Sequence, residues 1–269
     1  MKPRSWNRPF PERFLLGGEQ RFSVDLPQLN QGWIIRHTSA NAPFPAVEIL
    51  PEPPGMKFQI IPRISSLSQT QNDSLPVDPT LKLERFSWDW IEFRCQPLKD
   101  LEIRSLLWAP DSGVICGESW ISNLTEQKRI VALDLVCYLQ TLGAGNQITL
   151  EKINGRPVLT GCPGDQHLVL FLAGNPTITE DPFPYLQNEI SLAPRNAGKV
   201  HWICAISDTK KSAQELLEKV LQLDWSGEIS RRKVARQGQL KITTGDPDWD
   251  FILALSQKQA QIIFHQIHH

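Results

Sequence analysis

Through the middle of the chain, residues 81–206, apolar and polar positions alternate with a period of two. In Ile91-Glu92-Phe93-Arg94-Cys95 and Leu101-Glu102-Ile103-Arg104 the polar partners are charged, as a strand with one buried and one wet face requires. Val131, Leu133, Leu135, Cys137 and Leu139 put their apolar side chains on one face of a long strand. Further runs predict strands at 113–122, 148–153, 167–173 and 199–206, separated by turn chemistry such as Pro110-Asp111-Ser112-Gly113 and Ile153-Asn154-Gly155-Arg156. Before residue 81, Pro43, Pro45, Pro51, Pro53 and Pro54 leave room only for short or edge strands, with 32–36 and 56–61 as candidates. Many strands joined by turns, with no helical pattern between them, predict a mainly β fold of antiparallel sheets packed as a sandwich over residues 1–208.

After Asp208 the period becomes helical. Ala213, Leu216, Leu217, Val220 and Leu221 form a stripe within 212–222, a stretch free of Gly and Pro. A second helix is expected around 228–236. For a third, Asp246 can cap the N-terminus, Pro247 suits the first turn, and Asp248 and Asp250 complement the positive end of the helix dipole. Its apolar positions, among them Trp249, Ile252, Ile263, Phe264 and Ile267, cover so much of the circumference that neighbours are expected on more than one side. Residues 209–269 are therefore read as linker helices leading into the start of a further helical domain, with those five residues facing that domain or a partner subunit.

Composition narrows the function. At 269 residues, 41% hydrophobic and 21% charged, the chain can bury a sizeable core and is globular. A net charge of -1 provides no field for nucleic acid or an anionic membrane, so neither is an expected partner. The basic cluster Arg231, Arg232, Lys233 and Arg236 reads as a solvated helix face. The N-terminus carries charges and prolines where a secretory signal needs an apolar run, and no stretch approaches the length of a membrane span. Cys95, Cys116, Cys137, Cys162 and Cys204 are odd in number and without C-x-x-C spacing, which argues against a zinc site or a disulfide framework. A reducing cytoplasmic location is expected, with no metal and no cofactor, and the sequons at Asn72 and Asn123 read as chance matches.

Two segments carry a resemblance. Trp120-Ile121-Ser122-Asn123-Leu124-Thr125 runs into the long strand 130–139 as strand, Asn-turn, strand. Thr243-Thr244-Gly245-Asp246-Pro247-Asp248-Trp249-Asp250 leads into Ala254-Leu255-Ser256-Gln257. Together, over roughly residues 85–265, they resemble the β-supersandwich domain and the start of the first barrel helix in six-hairpin glycosidases, the glucoamylase and glycogen-debranching type of glycoside hydrolase. The resemblance implies an antiparallel β-supersandwich and a place in carbohydrate metabolism on α-glucan-like substrates. It also implies that the acid and base carboxylates belong to an (α/α)6 barrel, so no catalytic residue is assigned to this chain.

The chain's own side chains are weighed against that expectation. A glycosidase needs two carboxyl groups across a sugar cleft. Asp246, Asp248 and Asp250 are the densest acidic group, but capping and dipole effects account for them, and Pro247 and Trp249 interrupt any calcium loop. Gly117-Glu118-Ser119-Trp120-Ile121 lacks the second glycine of a nucleophile elbow, Cys162 and His167 lack an orienting partner, and Gly143-Ala144-Gly145 reads as a hairpin loop. Of nine tryptophans, Trp88, Trp90, Trp108, Trp120 and Trp202 fall in predicted strands, where an indole fills a core or, exposed, stacks on a sugar ring. Trp88 and Trp90 share a face opposite Ile91 and Phe93 and are the candidates for binding an oligosaccharide. The sequence thus supports an accessory sandwich domain of a glycoside hydrolase. A free-standing carbohydrate-binding module and an assembly protein docking through its last helix stand as alternatives.

Overall fold

The alternation in the sequence becomes two antiparallel sheets that face each other across one apolar layer. The computed structural model describes residues 6–17, 32–37, 44–50, 56–67, 78–141, 147–179, 183–235 and 242–267. In chain order the first strands are β1 (Arg8–Pro9), β2 (Arg13–Gly17), β3 (Gly32–Arg36), β4 (Ala46–Leu50), β5 (Met56–Ser66), β6 (Asp78–Phe86), β7 (Trp90–Leu98) and β8 (Leu101–Asp111). They are followed by β9 (Val114–Asn123), β10 (Arg129–Thr141), β11 (Thr149–Ile153), β12 (Arg156–Gly161), β13 (His167–Leu172), β14 (Thr177–Thr179), β15 (Tyr185–Leu192) and β16 (Ala197–Ser207). One sheet has nine strands in the order β1-β6-β7-β8-β9-β16-β13-β12-β11, and the other has seven in the order β14-β15-β10-β5-β4-β3-β2.

The five apolar residues of β10 named from sequence enter the central layer with Ile91, Phe93 and Cys95 of β7 and with Leu101 and Ile103 of β8. Their burial contributes about 1.5–3 kcal/mol for each large side chain. Glu92, Arg94 and Arg104 point to the opposite face, where Glu84 holds Arg94 at 3.1 Å and Arg104 at 3.3 Å. The Asn154-Gly155 pair takes positive φ at both residues, 49° and 77°, and closes a two-residue hairpin between β11 and β12. Asn123 shows why the strand, Asn-turn, strand segment is built as it is. Its side chain accepts from the Thr125 backbone and hydroxyl (3.0 and 2.8 Å) and donates to the carbonyls of Gln127 and Ala193 (2.6 and 3.1 Å). A sugar could not be attached there, because Asn123 is 2% exposed and its amide is engaged on both sides.

Three helices follow β16: α1 (Lys210–Leu221), α2 (Trp225–Ala235) and α3 (Pro247–Ile267). Thr209 caps α1, accepting from the Ser212 N–H at 3.1 Å. The stripe Ala213, Leu216, Leu217 and Val220 is laid on the outer face of the nine-stranded sheet, and with Ile229 of α2 it closes a second apolar cluster over Trp90, Leu106, Trp108 and Phe171. The first part of the helical segment therefore shares a core with the sandwich. Asp246 caps α3 by accepting from Asp248 N–H at 2.8 Å. Asp248 pairs with Arg8 at 2.5 Å. Asp250 corrects one expectation: it is buried, and it accepts from the Thr244 backbone and hydroxyl at 2.6 and 2.8 Å, so it ties down the preceding loop and does not serve as an open dipole partner.

Candidate functional site

Trp88 and Trp90, the residues that sequence offers for sugar stacking, are 5% and 4% exposed. Alternation does turn Trp90 away from Ile91 and Phe93, but the face it reaches is the one that α1 and α2 cover. Lys233 of α2 lies 5.5 Å over the Trp90 ring. This placement runs against stacking by either indole in the folded domain. Trp108 and Trp202 are also buried, while Trp120 is half-buried with Lys199 5.6 Å over its ring.

The other motifs resolve into structure. Ser119 is buried and shares a 2.8 Å hydrogen bond with Ser105, so it is no exposed nucleophile. Gly117 sits opposite Trp202, and a Cβ there would lie 2.2 Å from that indole, so glycine is required by close packing. Cys162 Sγ does meet His167 Nδ1, at 3.4 Å on the surface. Gly143-Ala144-Gly145 and Asn72 lie outside the described residues. Among the described residues no group of three or more His, Cys, Asp or Glu is placed to hold a metal, and no helix is long and apolar enough to cross a membrane. All five cysteines are free. Burial pushes the Cys95 thiol up to about 12, aided by Glu102, and raises Cys116, Cys137 and Cys204 as well. Titration with a thiol reagent at mildly alkaline pH is expected to detect Cys162 alone in the folded chain and all five after unfolding. Rapid labelling of a second thiol would show that the sandwich core opens.

Sequence reasoning missed a charged lock. Arg232, read as part of a solvated basic face, is 1% exposed and donates through Nη1 to Asp89, which is 0% exposed in the loop before β7. Its Nη2 donates to the Pro110 carbonyl at 3.2 Å, and the guanidinium lies 5.6 Å over Trp108. Lys233 pairs with Glu92, whereas Arg231 is exposed and pairs with Glu228 at 3.1 Å. Arg236 lies outside the described residues.

An open cleft of about 650 Å³ lies where the β11–β12 hairpin, the β13–β14 turn, β16 and the end of α1 meet. Phe171, Ile178 and Leu221 supply apolar surface, and Lys152, Arg156, Asn175 and His201 supply polar groups. The His201 ring packs 4.9 Å from Trp225. Burial lowers the pKa of His201 from its ordinary value, an effect that Glu118 opposes and Lys199 reinforces.

On the far side of the molecule, α3 turns Phe251 and Leu255 into the central core, with Phe251 5.3 Å from Trp6 and 6.1 Å from Phe86. Its other side presents Trp249 and Ile252, 59% and 49% exposed. The side chains of Ile263, Phe264 and Ile267 lie outside the described residues.

The architecture is therefore an antiparallel two-sheet sandwich with helices on one face and at its end. No family model matches the chain, and no curated protein matches it. Among solved structures, a bacterial glucoamylase complexed with acarbose is similar with a TM-score of 0.52 at 9% identity, over 84% of this chain and 36% of that one. The chain thus spans about a third of the glucoamylase, and the likeness is one of fold. The Slr1438 protein of Synechocystis sp. PCC 6803 is similar at a TM-score of 0.46 and 10% identity, over 78% of this chain and 100% of that one.

Proposed function

We propose that this chain is the non-catalytic sandwich domain of a cytoplasmic glycoside hydrolase acting on α-glucan-like carbohydrate, and that it seats a helical catalytic domain through α3. The observation that carries the reading is the two-sided helix: Phe251 and Leu255 anchor α3 to the sandwich while Trp249 and Ile252 stay open. A large indole left half wet forgoes a burial contribution of about 1.5–3 kcal/mol, which a second surface can recover. The sandwich shared with a glucoamylase, of which it spans 36%, supports a role in carbohydrate chemistry. The acidic residues nearest the helix start have structural work, Asp246 as cap, Asp248 toward Arg8 and Asp250 toward Thr244. The alternative of a free-standing carbohydrate-binding module loses its strongest support with the burial of Trp88 and Trp90.

Incubating the isolated chain with maltooligosaccharides and following new reducing ends is expected to show no turnover. Turnover abolished by Asp246→Asn or Asp248→Asn in a chain that still folds would contradict the non-catalytic assignment.

A further inference from the structure

We propose that the cleft between the β11–β12 hairpin and the end of α1 binds a small sugar that carries an anionic group, a sugar phosphate or a uronate. Its volume of about 650 Å³ falls within the range of small-molecule sites, roughly 300–1,000 Å³. Phe171, Ile178 and Leu221 contribute apolar lining that suits the carbon face of a ring. The rim is cationic. Lys152 and Arg156 stand on the two strands beside the Asn154-Gly155 turn, whose positive φ values close that end of the hairpin.

The charge balance favours an anion. Arg156 Nη1 donates to both oxygens of Glu218 at 3.2 Å, and Asn154 donates to the same carboxylate at 3.0 Å. Glu218 therefore offsets one cation and orients it, and the remaining guanidinium donors are open to a second acceptor. Lys152 has no ion pair among the described residues, so its charge is the surplus. His201 and Asn175 complete the lining with groups that both donate and accept, which suits hydroxyls. Asn175 follows a turn at Gly174, φ 102°, that Asn188 braces by donating to the Ala173 carbonyl at 3.2 Å. The anionic part of the assignment rests on the cleft alone, and the sugar part rests on the proposed carbohydrate role.

Trp225, packed on His201, supplies the signal for a fluorescence titration of the full chain with glucose 6-phosphate, glucuronate, glucose and inorganic phosphate. A saturable change is expected with the phosphate sugar or the uronate, the tighter of the two naming the anion. Glucose and inorganic phosphate are each expected to bind at least about ten-fold more weakly. Lys152→Ala is expected to weaken the anionic sugar by a similar factor and Lys152→Arg to preserve it, with unchanged melting because Lys152 is exposed. Equal affinity for glucose overturns the anion assignment, equal affinity for inorganic phosphate overturns the sugar assignment, and no saturable response to either anionic sugar up to tens of millimolar overturns the site. None of these outcomes bears on α3, so the domain reading stands or falls separately.

Discussion

Asp89→Ala is expected to cost the folded chain roughly 3–5 kcal/mol, because it removes the nearest counter-charge of a cation buried in the protein interior. Arg232 is fully enclosed, with its charge facing Asp89 and the carbonyls of Ala109 and Pro110. Removing the carboxylate takes away the closest counter-charge of a guanidinium that is 1% exposed, leaving the Glu228 carboxylate 3.9 Å from Nε and the two neutral carbonyls. A domain stable by about 5–15 kcal/mol would lose a large share of its margin. Removing both charges together, as Asp89→Ala with Arg232→Met, is expected to lose less than Asp89→Ala alone, since an apolar pair of suitable volume replaces a buried ion pair at little cost. Urea denaturation measures both. A loss below about 1 kcal/mol in Asp89→Ala, the range of exposed pairs, would show that solvent reaches Arg232 and that α2 is not locked to the sheet.

The second large effect is at the contact of Gly117 with Trp202. Trp202→Ala is expected to destabilise by about 3–5 kcal/mol, the usual cost of emptying an aromatic site in a packed core. Gly117→Ala pushes a methyl into the indole and is expected to cost about 1–3 kcal/mol from overpacking. The two are not independent, since the second clash exists only while the indole is present. Gly117→Ala made in the Trp202→Ala chain should therefore cost clearly less than in the wild type, and a double-mutant cycle reads the difference. Additive losses would mean that Gly117 is needed for its backbone and not for the room it gives Trp202.

What was legible in the sequence was local. The alternation in β7, β8 and β10 placed Ile91, Ile103 and Leu133 in the core because one face of a half-buried strand has a period that nothing else imitates. The Asn-Gly turn and the stripe of α1 were legible for the same local reason. By contrast, β15 reads Tyr-Leu-Gln-Asn-Glu-Ile-Ser-Leu, and its central residues are only partly buried, so no clean period survives. Arg232 looked like any basic residue on a helix because its partner lies 143 positions away, and no local pattern carries that pairing. Trp90 failed similarly: alternation gave its face, but which element covers that face depends on helices more than a hundred residues later. The cleft gathers residues from Lys152 to Leu221 on six elements and had no signature in sequence.

The proposed docking role of α3 is tested most directly by sedimentation velocity combined with hydrogen exchange on the full chain, beside a Trp249→Ser/Ile252→Ser variant. Both replaced side chains are exposed, so the variant should melt at the same temperature as the wild type. The account predicts that the open face of α3 either pairs with a second copy as concentration rises, with the pairing lost in the variant, or leaves the α3 amides exchanging far faster than those of β10. A wild-type chain that stays monomeric at high concentration, with α3 amides as protected as those of β10, would contradict it.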